Sequence, residues 1–311
     1  MSAAHGRPGT LPHRGVPGLF SPVRVLTTVA EIHAWSRGER SRGRRIGFVP
    51  TMGFLHEGHL RLLDRARELA DVVALSIFVN PLQFGPGEDF ARYPRDLERD
   101  QALAEARGAD CVFVPAVQEM YPAEPLVRVA PGPMAEALEG AARPGHFAGV
   151  LTVVAKLFHQ VEPDVAVFGR KDYQQAMLVQ QMVRDLAFPL AIEVAPTVRE
   201  LDGLALSSRN AYLTADQRRS ALVLFRSLRE VERAWRVGEA DPATLQRKGL
   251  EALAAPDVHP EYFALADGGL ARVDRVTQTT VALVAARVGT TRLIDNVVLG
   301  AGVGADPTVR G

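Results

Sequence analysis

Arg45-Ile46-Gly47-Phe48-Val49-Pro50-Thr51-Met52-Gly53-Phe54-Leu55-His56-Glu57-Gly58-His59-Leu60 is the stretch that decides the fold. Arg45 to Pro50 is a short β-branched and aromatic run and reads as a strand. Gly53 marks a turn, and from Gly58 to Ala70 the apolar residues recur at helical spacing. Outward from this unit the alternation repeats. Val72 to Val79 is a nearly continuous apolar run, as expected of a strand covered on both faces. Arg95 to Arg107 reads as helix, Cys111 to Val114 as strand, Phe147 to Val161 as helix and Val165 to Phe168 as strand. Asp172 to Leu186 reads as helix and Ala191 to Val194 as strand. Strands alternating with helices of this length imply an α/β fold with a parallel sheet. Ligands of such sheets sit at the carboxyl ends of the strands, which directs attention to the loops after Val49, Val79, Phe168 and Val198. Beyond residue 199 two long polar helices, Ala215 to Val237 and Pro242 to Leu253, precede apolar runs at Tyr262 to Ala266 and Val281 to Val288. That pattern implies a smaller α+β domain.

With 311 residues, 47% of them hydrophobic, the chain is long enough for two domains and a large core. Its 36 basic and 36 acidic side chains cancel, so no global field attracts nucleic acid or an anionic membrane. No apolar run reaches the ~18 residues needed to span a bilayer, and a cytoplasmic setting is expected. The lone cysteine, Cys111, lies in an apolar run and reads as a buried thiol; one cysteine excludes an internal disulfide. Residues 1–22 are rich in Gly and Pro and read as a disordered tail.

The four loops carry the chemistry. In the first, His56 and His59 stand three apart where a helix begins, which places both imidazoles on one face. A helix N-terminus offers unpaired N–H groups and a partial positive charge suited to phosphate. Two solvated histidines, or a metal site lacking an evident third ligand, are the alternatives. No lysine follows a glycine at Walker A spacing, and Gly300-Ala301-Gly302-Val303-Gly304 reads as a tail, so the phosphate site falls to the histidine loop. The second loop offers Asn80 and Gln83, whose amides suit a hydroxy acid, or else form an ordinary βα turn. In the third, Gly169-Arg170-Lys171-Asp172, the lysine stands out: only three of the 36 basic residues are lysines. A flexible point charge suits a phosphate that moves during reaction, whereas Asp172 could simply cap the helix that follows. In the fourth, Ser207-Ser208-Arg209 could wrap a triphosphate or serve as a helix cap.

Five blocks, in order from Arg44 to Leu213, resemble the pantothenate synthetase family within the nucleotidyltransferases with HIGH-like loops. They are Pro50-Thr51-Met52-Gly53 with His56-x-Gly58-His59; Ser76 to Phe84; Leu138-Glu139-Gly140 through Arg143-Pro144 to His146-Phe147-Ala148-Gly149-Val150; Lys171 to Gln175; and Asp202 to Asn210. The resemblance implies a Rossmann-like domain over residues 23–198, a smaller lid over 199–311, a homodimer, and ATP with Mg2+. It implies condensation of (R)-pantoate with β-alanine through a pantoyl adenylate, releasing AMP and pyrophosphate. It places ATP against Met52, Gly53, His56, Gly58 and His59, against Gly169, Arg170, Lys171 and Asp172, and against Val198, Leu206, Ser207, Ser208 and Arg209. Pantoate falls to Asn80, Gln83 and Gln175, and β-alanine to Gln83. His59 matches the proton donor, with His56 and Lys171 on the phosphates. Arg170 departs from the Glu or Gln common in relatives. Asp96, Glu98 and Asp100 form an acidic cluster of the kind that holds Mg2+, or a solvated helix face. A cytidylyltransferase-like or tRNA-charging enzyme and a catalytically silent nucleotide binder are the competing classes; the absence of a basic stripe counts against tRNA.

Overall fold

The computed structural model describes residues 23–309, so the expected tail over 1–22 lies outside the described residues. The chain runs β1 (Arg24–Leu26), α1 (Val29–Ser41), β2 (Ile46–Thr51), α2 (Glu57–Leu69), β3 (Val72–Ile77), α3 (Leu97–Ala106) and β4 (Cys111–Phe113). It continues through α4 (Val117–Met120), α5 (Glu139–Ala142), α6 (His146–Val161), β5 (Val165–Gly169), α7 (Tyr173–Asp185) and β6 (Ala191–Ala195). The remainder is β7 (Arg199–Glu200), α8 (Ala215–Arg236), α9 (Pro242–Glu251), β8 (Val258–Ala266), β9 (Val281–Val288), β10 (Thr291–Val298) and β11 (Thr308–Val309).

Six strands form one parallel sheet in the order β1-β4-β3-β2-β5-β6. Because both faces are covered at the centre, the inner strands are largely apolar: Val72 to Leu75 and Cys111 to Phe113 are wholly buried. One face packs Phe48, Phe113 and Phe168 against α6 and α1; the other packs Val49, Leu75 and Val112 against α2. From β2 the chain moves outward one way through β3 and β4, then returns to place β5 and β6 on the other side of β2. The β2/β5 border is therefore the switch point where crossovers diverge and a crevice opens at the carboxyl ends. The histidine loop leaves β2 there and the Lys171 loop leaves β5. Topology alone thus brings two of the four loops together.

The second part is an antiparallel β10-β9-β8 sheet covered by α8 and α9, with a core around Leu228, Leu245, Phe263 and Val284. Tyr173 at the start of α7 packs with Ala266, Val281 and Leu283 and joins this sheet to the first part.

Several elements depart from the sequence expectation. β1 and α1 lie before the first unit read from the sequence. α1 begins with a reciprocal cap in which the Thr28 hydroxyl accepts from the Glu31 N–H, and the Glu31 carboxylate accepts from the Thr28 N–H. β10 is half of a hairpin with β9 that the polar residues Arg292, Asp295 and Asn296 disguise. The glycine-rich stretch 300–304 is not a tail. Gly302 takes φ 75°, the Val303 N–H donates to Glu232 on α8 at 3.0 Å, and β11 then pairs with β7 in parallel.

Candidate active site

α2 starts with an unusual cap. His56 is the N-cap residue, and its Nδ1 accepts from the Gly58 N–H at 3.2 Å. His59 answers by accepting the His56 N–H on its own Nδ1 at 3.3 Å. The two rings lie 4.1 Å apart between centroids. Because Nδ1 accepts in both, the proton of each neutral ring sits on Nε2, which is left to donate. Gly58 is required here: a Cβ would stand 2.8 Å from His56 Cε1. Burial, and then the neighbouring cations and the paired ring, push His56 down to about 2. Burial pushes His59 down to about 4, against the pull of Asp172 and aided by Lys171. Both are therefore uncharged donors at neutral pH, as an anion site with no fixed ring charge requires.

The loop ahead of them is held from α3. Asp100 is buried and accepts from Phe54 N–H at 2.7 Å and Leu55 N–H at 2.6 Å. That holds Phe54 in the left-handed region at φ 50°. Gly53, at φ 87°, has its Cβ position 2.8 Å from Ile77 and 3.0 Å from Asp100, so it shapes the turn and does not line the cleft. Asp100 is consequently committed to backbone, and Asp96 accepts the Arg99 N–H as the cap of α3. Of the acidic cluster considered for Mg2+, Asp96 and Asp100 are scaffold and Glu98 lies on the exposed face of α3.

Gln83 sits in the cleft, its amide donating to Met52 Sδ at 3.2 Å and accepting from Asn80 at 3.1 Å. Asn80 itself does not line the cleft. It is buried, donates also to Gly149 O, and accepts from the Tyr121 hydroxyl and the Leu82 N–H. All its capacity is used within the protein, so it aims Gln83. Gly149 makes this possible, since a Cβ there would lie 2.1 Å from Leu82 O.

A second cavity-facing pair was not singled out from the sequence. Arg143 donates to His146 Nε2 at 2.9 Å, so that nitrogen accepts and Nδ1–H donates to Gln83 O at 2.8 Å. Burial and Arg143 together push His146 down to about 4. Both residues fall inside the third matched block, which was the available signal. Arg143 also grips Glu88 through two hydrogen bonds, as Arg209 grips Asp89. Burial favours protonation of both acids, yet the guanidinium partners hold them below the usual carboxylate range.

Lys171 lines the cleft with its Nζ 3.8 Å from Asp172 Oδ1. Asp172 makes no capping hydrogen bond to α7 and stays half exposed. Arg170 turns away: it pairs with the buried Asp306 and lines no part of the cleft. Ser207 accepts from the Arg209 N–H, and the Ser208 hydroxyl donates to Phe54 O at 3.4 Å, tying the fourth loop to the histidine loop. One cavity of about 220 Å³ is lined by Met52, His56, Gly58, His59, Gln83, Gly169, Lys171, Asp172, Gln175, Val198, Leu206, Ser207, Ser208 and Arg209. Among the candidates, Gly53, Asn80 and Arg170 are the ones not brought to it. Among the described residues no cluster of three His, Cys, Asp or Glu could hold a metal, and no helix is long and apolar enough to cross a membrane.

Three neutral, largely desolvated histidines set a pH dependence. The unfolded chain protonates them near 6.5, whereas the folded chain resists until about 4 or below. As pH falls through that window the unfolded state takes up protons first, so stability is full above 6.5 and declines toward 4. Melting temperatures taken at constant ionic strength should fall across it; a level profile would contradict neutral burial.

A parallel sheet with imidazole donors, a lysine and a Ser-Ser-Arg turn converging on its switch point defines an α/β enzyme that handles phosphate. Known proteins narrow this further. A sequence model described as pantoate-beta-alanine ligase matches residues 24–298. The pantothenate synthetase of Moorella thermoacetica is 53% identical over 279 residues, covering 89% of this chain and 99% of that protein. The crystal structure of pantothenate synthetase from Thermus thermophilus superposes with a TM-score of 0.84 at 48% identity, over 89% of this chain and 99% of that one. A pantoate-beta-alanine ligase from Francisella tularensis, described as complexed with beta-gamma ATP and beta-alanine, gives 0.76 at 34% identity over 90% and 99%. The chain belongs to the pantoate-β-alanine ligase family.

Proposed function

We propose that this chain condenses pantoate with β-alanine, using ATP and passing through a pantoyl adenylate. The observation that carries the reading is the convergence of phosphate donors (His56, His59, Lys171, Ser207, Ser208 and Arg209) on one cavity that also holds Gln83 and Gln175. A pantoate carboxylate oxygen attacks the α-phosphorus of ATP in line, and the bond to pyrophosphate breaks. The Nε2–H groups of the two histidines, the ammonium of Lys171 and the guanidinium of Arg209 stabilise charge on the phosphate oxygens. Gln83, aimed by Asn80, and Gln175 hold the pantoate end. The β-alanine amine then attacks the acyl carbon, loses a proton, and displaces AMP. No residue forms a covalent intermediate, which agrees with Cys111 being fully buried, its thiol pushed well up by burial.

Mg2+ takes one or two carboxylates plus phosphate oxygens rather than an all-protein cage. Asp172, half exposed in the cleft beside Lys171, suits that donor set, whereas Asp96 and Asp100 are committed elsewhere. Bound there, the ion would offset phosphate charge. In the same reading, residues 23–198 hold nucleotide and pantoate while the part from 199 onward acts as a lid. A homodimer and a cytoplasmic setting rest on the family resemblance.

Mixed with ATP, pantoate and β-alanine, the protein should yield AMP and pyrophosphate, and pantoate alone should support ATP–pyrophosphate exchange. ADP among the products, or exchange driven by a different acid, would sink the proposal.

A further inference from the structure

Lys171 lacks a local fastening. The 3-10 turn Arg170–Asp172 starts at Gly169 without a side-chain cap, and Asp172 provides none for α7. Among the described residues the Lys171 ammonium has one close partner, Asp172 Oδ1 at 3.8 Å, too far for a hydrogen bond. What Nζ can reach is therefore set by where the backbone of this turn is held.

That backbone is held from the other part of the molecule. Asn296 on β10 spends both amide hydrogens on consecutive carbonyls, Arg170 O and Lys171 O, each at 2.9 Å. Asn296 is 1% exposed and is itself fixed on both sides: its N–H donates to Asp295 at 2.8 Å and its carbonyl accepts from Arg199 at 3.2 Å. Arg199 and Asp295 form a buried ion pair, so the clamp is mounted on a stiff support. No other residue type of this size offers two donors from one atom in the plane of a short side chain.

We propose that Asn296 is a positioning residue for adenylation, acting through Lys171 by clamping the two carbonyls of its turn. The inference rests on the reading that Lys171 stabilises phosphate charge. Loss of the clamp lets the turn shift, and a displacement near ~1 Å at a reacting group costs on the order of 10²-fold in rate.

The test is a double-mutant cycle on pantoate-dependent ATP–pyrophosphate exchange, with wild type, Asn296→Ala, Lys171→Ala and the double variant. Asn296→Ala is expected to slow exchange by on the order of 10- to 10²-fold in the wild-type background. In the Lys171→Ala background it should change the rate by less than about twofold, because the group it positions is gone. Equal losses in both backgrounds would show general damage and overturn the inference, as would no loss in the wild-type background. If Lys171→Ala alone leaves exchange intact, the reading of Lys171 fails first, and the cycle distinguishes that outcome from failure of the clamp. Should Asn296→Ala melt below the assay temperature, Asn296→Ser runs the same cycle. Its hydroxyl can donate to one carbonyl, and an intermediate loss seen only where Lys171 is retained supports the clamp.

Discussion

Lys171→Ala is expected to slow pantoyl-adenylate formation by on the order of 10²–10³-fold, the typical loss when one preorganised charge-stabilising contact is removed. The melting temperature should barely move. Lys171 makes no hydrogen bond through Nζ among the described residues, and its ion pair with the half-exposed Asp172 is long. Exposed pairs of that kind contribute ~0–1 kcal/mol. The separation of a large kinetic loss from a small stability loss identifies the residue as part of the chemistry. Lys171→Arg should rescue little, because a planar fork cannot follow a moving phosphate as a compact ammonium can. Single-turnover formation of the adenylate measures the effect directly, and an unchanged rate would remove Lys171 from the mechanism.

Arg199→Met should show its large effect in stability, destabilising the fold by about 3–5 kcal/mol, the usual consequence of removing one member of a buried ion cluster. Arg199 is 1% exposed and all five of its N–H donors are engaged. Two go to Asp295 at 2.7 and 3.0 Å, one to Asp306 at 2.8 Å, and two to the carbonyls of Gly203 and Asn296 at 3.2 Å. Without the guanidinium, the buried carboxylate of Asp295 keeps only the Asn296 N–H and that of Asp306 keeps only Arg170. Burial already lifts Asp306 above its ordinary range despite Arg199 and Arg170. At about 2–4 °C per kcal/mol for a chain of this size, the melting temperature should drop by on the order of 10 °C. A midpoint within a degree or two of wild type would contradict this account.

The sheet, its parallel sense and the four loops were legible because their signals are local. A strand buried on both faces is apolar along most of its length, as Val72 to Leu75 is, and a helix start shows within a few residues. The cap at Thr28 and Glu31 is equally local and marks the start of α1 in the sequence. Other features depend on partners far along the chain. Arg170 sits beside Lys171 yet faces away because Asp306, 136 residues further on, draws it. Asn80 has the chemistry of a ligand, but Tyr121 and Gly149 use that chemistry up. Gly300 to Gly304 looked unstructured because the carboxylate that receives Val303 lies on α8. Arg143 and His146 stand in the third matched block, but their part in the cleft depends on Gln83 O, which both contact from 60 or more residues away.

The missing Cβ of Gly149 has a mechanical consequence. α6 lies so close to the turn Pro81–Gln83 that the two cannot slide past each other, and Asn80 bolts them together. Gln83 therefore travels with α6 as one block. Any swing of the neighbouring Gly85 to Asp89 segment must pivot beyond Gln83, releasing Glu88 from Arg143 and Asp89 from Arg209 as it goes. On the proposed assignment, the end of the cleft at Gln83 would then stay still while Arg143 and Arg209 exchange their carboxylate partners for other anions.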